Sequence, residues 1–385
     1  MLTPPGYRVH PECGRGARAV PCKAVPEHVV IVLHDFRLGG AERVMLRLAG
    51  AFAQRGAAVD VVTVGAGGPL RSELPEQVRH RALGVPRVSR AAPRLAALVR
   101  TLRPDVVVAT LPHVNVVTGM AQRLAGSRAR LVLREANDPR FEHDFGGRAG
   151  ALRALLTRAA YARADVVVAL TAGNAAAISQ VLRVPSQRVR VIPNPAPDVP
   201  REPASSAGLP QGAPRLLCVA RLSRQKDHAT LLRGFERLLR SHPRAQLALL
   251  GDGPERPAVE ALADALGVAA HVHVAGTVLD TEPWWSWADV LVLASRWEGF
   301  PNVLLEALAH GVPVVATDCP TGPREIVGSA RVGELVRVGD ADALAAAIDR
   351  VVVDPPDPAA VRARAATFAL ERIAEQWWTV LEGAR

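Results

Sequence analysis

Two doubly wound α/β domains in tandem, each built on a parallel sheet, are predicted by three features of this chain. Its 385 residues exceed one ordinary domain and suit two. Short Val/Leu-rich runs alternate with helical patterns, as expected of parallel strands covered on both faces. A stretch rich in Pro, Gly, Ser and Ala, Pro193–Pro214, interrupts that alternation, which then restarts.

Met1–Pro26 holds Pro, Gly, Arg and two cysteines but no continuous apolar stretch, which predicts a disordered tail rather than a signal peptide. Val29–Leu33 is the first strand, followed by Gly39-Gly40 and a helical pattern through Ala41–Gln54. Val59–Val64, Val106–Ala109, Arg130–Leu133 and Val166–Leu170 are the next strands, with helical stretches between them. Beyond the linker, Arg215–Val219 predicts a strand, Asp227–Arg240 a helix, Gln246–Leu250 a strand and Arg256–Leu266 a helix. His271–Val274, Val290–Leu293 and Val312–Ala316 complete the strands, and Ala341–Val352 and Pro358–Glu382 end the chain as helices. The expected division is a tail over 1–26, a first domain over 27–195, a linker over 196–213, a second domain over 214–365 and a last helix over 366–385. Sheets of this kind bind ligands at the carboxyl ends of their strands, so two facing domains make a cleft.

Hydrophobic residues make up 49%, enough for a core in each half. No apolar run reaches the ~18 residues that span a bilayer, which predicts a cytoplasmic protein, either free or peripheral on the inner membrane face. Cys13, Cys22, Cys218 and Cys319 form no CxxC pair and no metal-ligand spacing, so neither disulfide nor structural zinc is expected. The net charge of +10 suits nucleic acid, an anionic membrane surface or an anionic substrate. Nucleic acid is disfavoured because the arginines are scattered and only 4% of residues are aromatic. Ala91–Arg103 places Leu95, Leu98, Val99 and Leu102 on one helical side and Arg94, Arg100 and Arg103 on the other. That pattern suits either a helix packed on its sheet or one lying on an anionic membrane.

The strongest chemical signal is Arg296-Trp-Glu-Gly-Phe-Pro-Asn-Val-Leu-Leu-Glu-Ala-Leu-Ala-His-Gly311. Pro301 stands where a helix starts and Gly311 where it stops. Glu298 therefore lies on a loop and Glu306 more than one turn into the helix. The free N–H groups near Gly299 and Phe300 suit a phosphate, and Pro301 and Asn302 join them as donor-binding candidates. A carboxylate on each side can accept hydrogen bonds from sugar or ribose hydroxyls.

This Glu-(seven residues)-Glu motif, inside Ser-Arg-Trp-Glu-Gly-Phe-Pro…Glu-Ala-Leu-Ala-His-Gly-Val-Pro-Val-Val-Ala-Thr, resembles the signature of the large retaining glycosyltransferase family 4. That family has the GT-B architecture, two Rossmann-like domains with a cleft between them. The resemblance spans roughly residues 28–380.

Other segments agree. Arg221 and Lys226, in Ala220-Arg-Leu-Ser-Arg-Gln-Lys-Asp-His228, are five apart on a loop and can converge on one diphosphate. Two cations there stabilise charge developing on a departing phosphate, the role the resemblance assigns them. Lys226 is the only lysine after the tail, which favours a compact ammonium at that place. Gly251 and Gly253, in Leu-Gly-Asp-Gly-Pro-Glu255, match a turn beside the nucleotide, although a tight strand-to-helix turn explains them equally. Thr321, Gly322 and Glu325, in Asp318-Cys-Pro-Thr-Gly-Pro-Arg-Glu-Ile326, resemble a loop that covers the diphosphate. This form of the loop is similar to that of bacterial members that build polyprenyl-linked glycans from UDP sugars, an association only. Gly39 and Gly40 match a loop facing donor phosphates or acceptor. They do not form GxGxxG, which counts against a dinucleotide enzyme.

His113 follows the strand Val106–Ala109 and suits a hydrogen bond to the donor sugar. Arg134 and Asn137 resemble an Arg-x-x-Asn element and are candidates for acceptor contacts. Val191-Ile-Pro-Asn-Pro195 resembles the family's hinge, and in that fold the last helix crosses back to the first domain.

The expected reaction moves a sugar from a nucleotide diphosphate sugar, UDP-linked by the resemblance, to an acceptor hydroxyl with retention. The resemblance implies front-face substitution, with Glu306 on the ribose, Glu298 on the donor sugar, and Arg221 and Lys226 on the leaving diphosphate. No metal-binding DxD motif stands on a loop, so no metal is required. An epimerase or hydrolase of the same architecture would turn over donor without acceptor, and a non-catalytic sugar-nucleotide sensor would have lost part of this charged set.

Overall fold

The computed structural model describes residues 26–37, 39–142, 147–199, 202 and 204–383. The expected tail, with Cys13 and Cys22, lies outside them apart from Pro26, as does Leu38. The described chain forms a seven-stranded and a six-stranded sheet. The first contains β1 (His28–Leu33), β2 (Ala58–Thr63), β3 (Arg79–Ala82), β4 (Val106–Thr110), β5 (Arg130–Arg134), β6 (Val166–Ala169) and β7 (Val189–Val191). The second contains β8 (Arg215–Val219), β9 (Gln246–Leu250), β10 (Val272–Gly276), β11 (Val290–Leu293), β12 (Val314–Thr317) and β13 (Gly333–Val336). The orders are β3-β2-β1-β4-β5-β6-β7 and β10-β9-β8-β11-β12-β13, with parallel pairing throughout.

Each sheet buries apolar side chains on both faces, which is why its central strands read as unbroken Val/Leu runs. Three strands carry no such run, and all three are edges. In β3, Arg-His-Arg-Ala is held by charge: Arg81 Nε and Arg79 NH2 donate to the buried Asp60 carboxylate of β2 at 2.7 and 3.0 Å. β7 and β13 are short and pair with a strand on one side only. The expected single helix Pro358–Glu382 is two, Pro358–Ala366 and Leu370–Leu381. The second helix lies over the first sheet, where Trp377 and Trp378 pack against Phe52 of helix Gly40–Gln54 at centroid distances of 6.4 and 6.1 Å.

The basic stretch Ala91–Arg103 becomes helix Ala92–Leu102. Leu95 and Val99 are buried in the core beneath it, so packing on the sheet consumes its apolar side. Among the described residues no helix is long and apolar enough to cross a membrane.

Candidate active site

In each sheet the strand order reverses at one place, between β1 and β4 in the first and between β8 and β11 in the second. Connections leave such a switch point in opposite directions, so the loops that follow the two strands part and leave a crevice. The loops after β8 and β11 are Ala220–Asp227 and Ala294–Pro301, the segments that hold Arg221, Lys226 and Glu298. Distant stretches meet there because topology brings them together.

The meeting is direct. Lys226 Nζ donates to Glu298 Oε1 at 2.5 Å, and Ser295 Oγ donates to the same oxygen at 2.6 Å. Both charged side chains are largely buried, at 17% and 6% exposure, so the ion pair works in a reduced dielectric. Two further bonds lace the loops: the Gln225 side-chain Nε2 donates to Trp297 O at 2.8 Å, and Arg296 N donates to Gln225 O at 2.8 Å. Arg296 also pairs with buried Asp227 at 3.0 Å. Arg221 is exposed on the same loop and, among the described residues, has no ion pair.

The motif helix runs Asn302–His310, with Pro301 just outside as its N-cap and Gly311 ending it at φ 79°. Pro301 thus sits one position earlier than expected. Glu306 is partly buried. Burial raises its carboxyl pKa, opposed by Arg43, His310 and Arg47. Arg43 and Arg47 come from helix Gly40–Gln54 of the first domain, so this carboxylate lies in a cationic field that crosses the cleft.

Gly40, which follows Gly39, meets the motif helix at its N-terminus. Asn302 Nδ2 donates to Gly40 O at 3.1 Å, and a Cβ on Gly40 would lie 2.7 Å from that nitrogen. Gly299 is pressed against the first domain, since a Cβ there would lie 2.1 Å from Ala136 O and 2.6 Å from Asn137 Cα. Asn137 is thus placed beside the loop of Glu298, with its carbonyl accepting from Asn174 Nδ2 at 2.7 Å.

Several residues expected to contact ligands are held by packing and internal hydrogen bonds. Arg134 was expected to touch an acceptor, but it is buried. Its NH1 donates to Thr110 Oγ1 at 2.8 Å and its NH2 to Asn194 Oδ1 at 2.6 Å. Burial lowers its pKa to about 10, against the opposing pull of Glu42 and Glu135. Phe300 turns inward onto Phe368, with centroids 5.9 Å apart. The buried Thr321 hydroxyl donates to the Glu298 carbonyl. Gly322, at φ 101°, would place a Cβ 2.7 Å from Pro301 Cδ. Glu325 accepts from Gly322 N at 3.2 Å. The 318–326 loop therefore buttresses Glu298. Gly251 and Gly253 are explained by close backbone approach: a Cβ would lie 2.1 Å from Ala220 O at the first and 2.2 Å from Leu222 O at the second.

His113 lies in the first turn of helix Pro112–Ala125, at the first sheet's switch point. Its Nε2 is 3.2 Å from Nδ1 of His34, which follows β1. One ring must donate and the other accept. Burial lowers both pKa values, with Arg37 adding to the effect on each. The sequence reading passed over His34, Ser295, Asn194 and the buried Glu42, whose carboxyl pKa is raised by burial. Of these, Ser295, Glu42 and Asn194 stood inside segments singled out by their motifs, and His34 did not.

A cavity of about 700 Å³ lies at the opposite ends of the second sheet's strands, bordered by Pro214, Asp289 and Pro313. It is remote from this charged cluster.

Residues 38–198 match the family model described as "Glycosyltransferase Family 4", and residues 213–354 match "Glycosyl transferases group 1". The lipopolysaccharide core biosynthesis glycosyltransferase LpsE of Rhizobium meliloti is 30% identical over 83% of this chain and 88% of its own length. The chain belongs to glycosyltransferase family 4.

Not every relative of this glycosyltransferase is matched over its full length. The exopolysaccharide phosphotransferase SCO2592 of Streptomyces coelicolor is 32% identical over 72% of this chain, but the match spans only 28% of that protein. An N-acetylgalactosaminyltransferase of Campylobacter jejuni, named for a diacetylbacillosaminyl-diphospho-undecaprenol acceptor, is 27% identical over 71% of this chain and 73% of its own length. Among solved structures, Anabaena Alr3699/HepE in complex with UDP and glucose superposes with a TM-score of 0.76 at 22% identity, over 92% of this chain and 99% of that one. The galactosyltransferase WaaB in its apo form gives 0.71 at 18% identity, over 92% and 98%. The architecture is GT-B.

Proposed function

We propose that this glycosyltransferase moves a sugar, with retention, from a UDP-sugar such as UDP-GalNAc, UDP-GlcNAc, UDP-Gal or UDP-Glc to a hydroxyl of a glycan or polyprenyl-diphosphate-linked acceptor in bacterial polysaccharide assembly. The observation that carries the reading is Lys226 held on Glu298 at the second sheet's switch point. Exposed Arg221 shares its loop, and the N-terminus of helix Asn302–His310 lies beside it. An incoming diphosphate is offered one ammonium, one guanidinium and a helix N-terminus, all placed before the reaction. Glu298 then orients donor hydroxyls, Glu306 takes the ribose, and the departing phosphate helps deprotonate the acceptor. Because Arg221 and Lys226 supply the positive charge, transfer proceeds without a metal and survives a chelator. The UDP in the HepE complex and the diphospho-undecaprenol acceptor in the Campylobacter relative's name support the choice of donor and acceptor class.

The test incubates the protein with UDP-, GDP- and ADP-sugars, with and without a polyprenyl-diphosphate glycan, and follows nucleotide diphosphate release and the anomeric configuration of the product. Acceptor-dependent UDP release, lost in Lys226→Ala and Glu306→Ala, is expected. Equal release without acceptor would identify a hydrolase or epimerase, and an inverted product would end the front-face mechanism.

A further inference from the structure

Helix Gly147–Tyr161 buries Ala154, Thr157, Ala160 and Tyr161 against the first domain. Its opposite side is a regular apolar stripe facing solvent: Leu152, Leu155 and Leu156 are 59%, 66% and 41% exposed. Leucines at i, i+3 and i+4 on an open helical face form a contiguous patch rather than scattered exposure. The neighbouring helix, Pro112–Ala125, packs so closely that a Cβ on Gly119 would lie 2.9 Å from Ala160 Cβ. It exposes two further large apolar side chains, Met120 and Leu124, at 41% and 51%.

The charge around these leucines is predominantly positive. Neither helix contains an Asp or Glu, whereas Arg123, Arg128 and Arg163 stand exposed on or just beyond them, with Asp165 beside the last two. Leucines on two acid-free helices, flanked mainly by arginines, suit an apolar layer beneath an anionic surface. A further exposed apolar ring stands beside the active site. Phe141, in the preceding short helix Pro139–Glu142, is 47% exposed and stacks on Trp297 beside Glu298, with centroids 5.3 Å apart and planes at 17°.

From this arrangement we infer that the exposed face of helices Gly147–Tyr161 and Pro112–Ala125 docks the enzyme on an anionic lipid surface. Helix Ala92–Leu102, the basic amphipathic stretch of the sequence, is not the contact. The leucines enter the headgroup boundary, the arginines meet lipid phosphates, and the cleft is brought to the membrane next to Trp297. The consequence for acceptor delivery rests on the proposed lipid-linked acceptor; the docking does not.

The test is flotation of the full chain with phosphatidylcholine vesicles, with and without phosphatidylglycerol, at low and high salt. Flotation only with phosphatidylglycerol, weakened by salt, is expected. Leu155→Asp should reduce it by about tenfold or more, whereas Arg94→Glu, on helix Ala92–Leu102, should leave most of it. Turnover of a short-chain soluble acceptor should be unchanged in Leu155→Asp, which separates loss of docking from failure of the transferase reading. Hydrogen exchange on the unaltered protein supplies a second readout that needs no variant: amides of 150–161 gain protection on anionic vesicles. Equal binding to both vesicle types, no flotation at all, or a dimer that Leu155→Asp dissociates would each overturn the proposal. The last would assign the face to a second copy of the chain.

Discussion

Asn194 donates its side-chain amide to Asn302 Oδ1 at 2.6 Å, and this bond links a buried arginine of the first domain to the motif helix of the second. Asn194 Oδ1 accepts from Arg134 at 2.6 Å, while Asn302 Nδ2 donates to the Gly40 carbonyl at 3.1 Å. Two amides, each using both of its polar ends, thus set the Gly39-Gly40 loop and the helix of Glu306 against each other. Asn194→Ala removes one bond to a buried cation, for which about 2 kcal/mol is expected. The melting temperature should fall and kcat/KM should drop roughly tenfold as the facing loops lose register. Calorimetry and steady-state kinetics on the same variant check both, and unchanged values would mean the link is incidental.

Lys226→Met should lower kcat by roughly 10²–10³-fold, the range for losing one electrostatic donor at a developing charge. The same change strands the Glu298 carboxylate with Ser295. A stability loss of at most about 3 kcal/mol should therefore accompany it, reduced by the partial exposure of the pair. Single-turnover donor cleavage and denaturant unfolding read the two effects separately.

The stability of the second domain should carry a histidine term. His228 is 3% exposed, neither ring nitrogen has a partner among the described residues, and burial lowers its pKa from 6.5 to about 4. A base with a lowered folded pKa takes up its proton first in the unfolded chain. Stability is therefore full above pH 6.5 and is lost as pH falls towards 4, by at most roughly 3 kcal/mol. His228→Leu should flatten that part of the pH–stability curve. An unchanged curve would show that the ring is satisfied in solution.

Gly253→Ala should destabilise the protein by about 2 kcal/mol or more, because its Cβ meets backbone at Leu222 O rather than a yielding side chain. Gly251→Ala adds strain at φ 137°. Both changes should also raise the KM for donor, since the turn supports the loop of Arg221. Loss of donor affinity without loss of stability would instead make these glycines direct ligand contacts.

Much of this was legible in the chain. Central strands such as Val29–Leu33 and Gln246–Leu250 are buried on both faces, so their composition alone marks them. The helix from Asn302 to Gly311 was legible because proline and glycine bracket it for backbone reasons that need no tertiary context. The edge strands Arg79–Ala82, Val189–Val191 and Gly333–Val336 were not, because one-sided pairing leaves residue choice loose and ion pairs can replace apolar burial.

The candidate site divides in the same way. Sequence by itself marked which loops carry charge, because Arg221, Lys226, Glu298 and Glu306 stand in segments whose spacing follows from the local strand–loop–helix geometry. Only the tertiary structure decided what each side chain does. Arg134 and Thr321 look like ligand contacts in one dimension, yet they lie buried and bonded to Asn194 and to the Glu298 carbonyl. His34 meets His113 only because β1 and β4 are neighbours in the sheet. Likewise, Leu95 and Leu155 both belong to basic helices in the sequence, but packing covers the first and leaves the second in water. Local patterns report backbone conformation and apolar period, whereas burial and partnership depend on which distant segments the sheet order brings together.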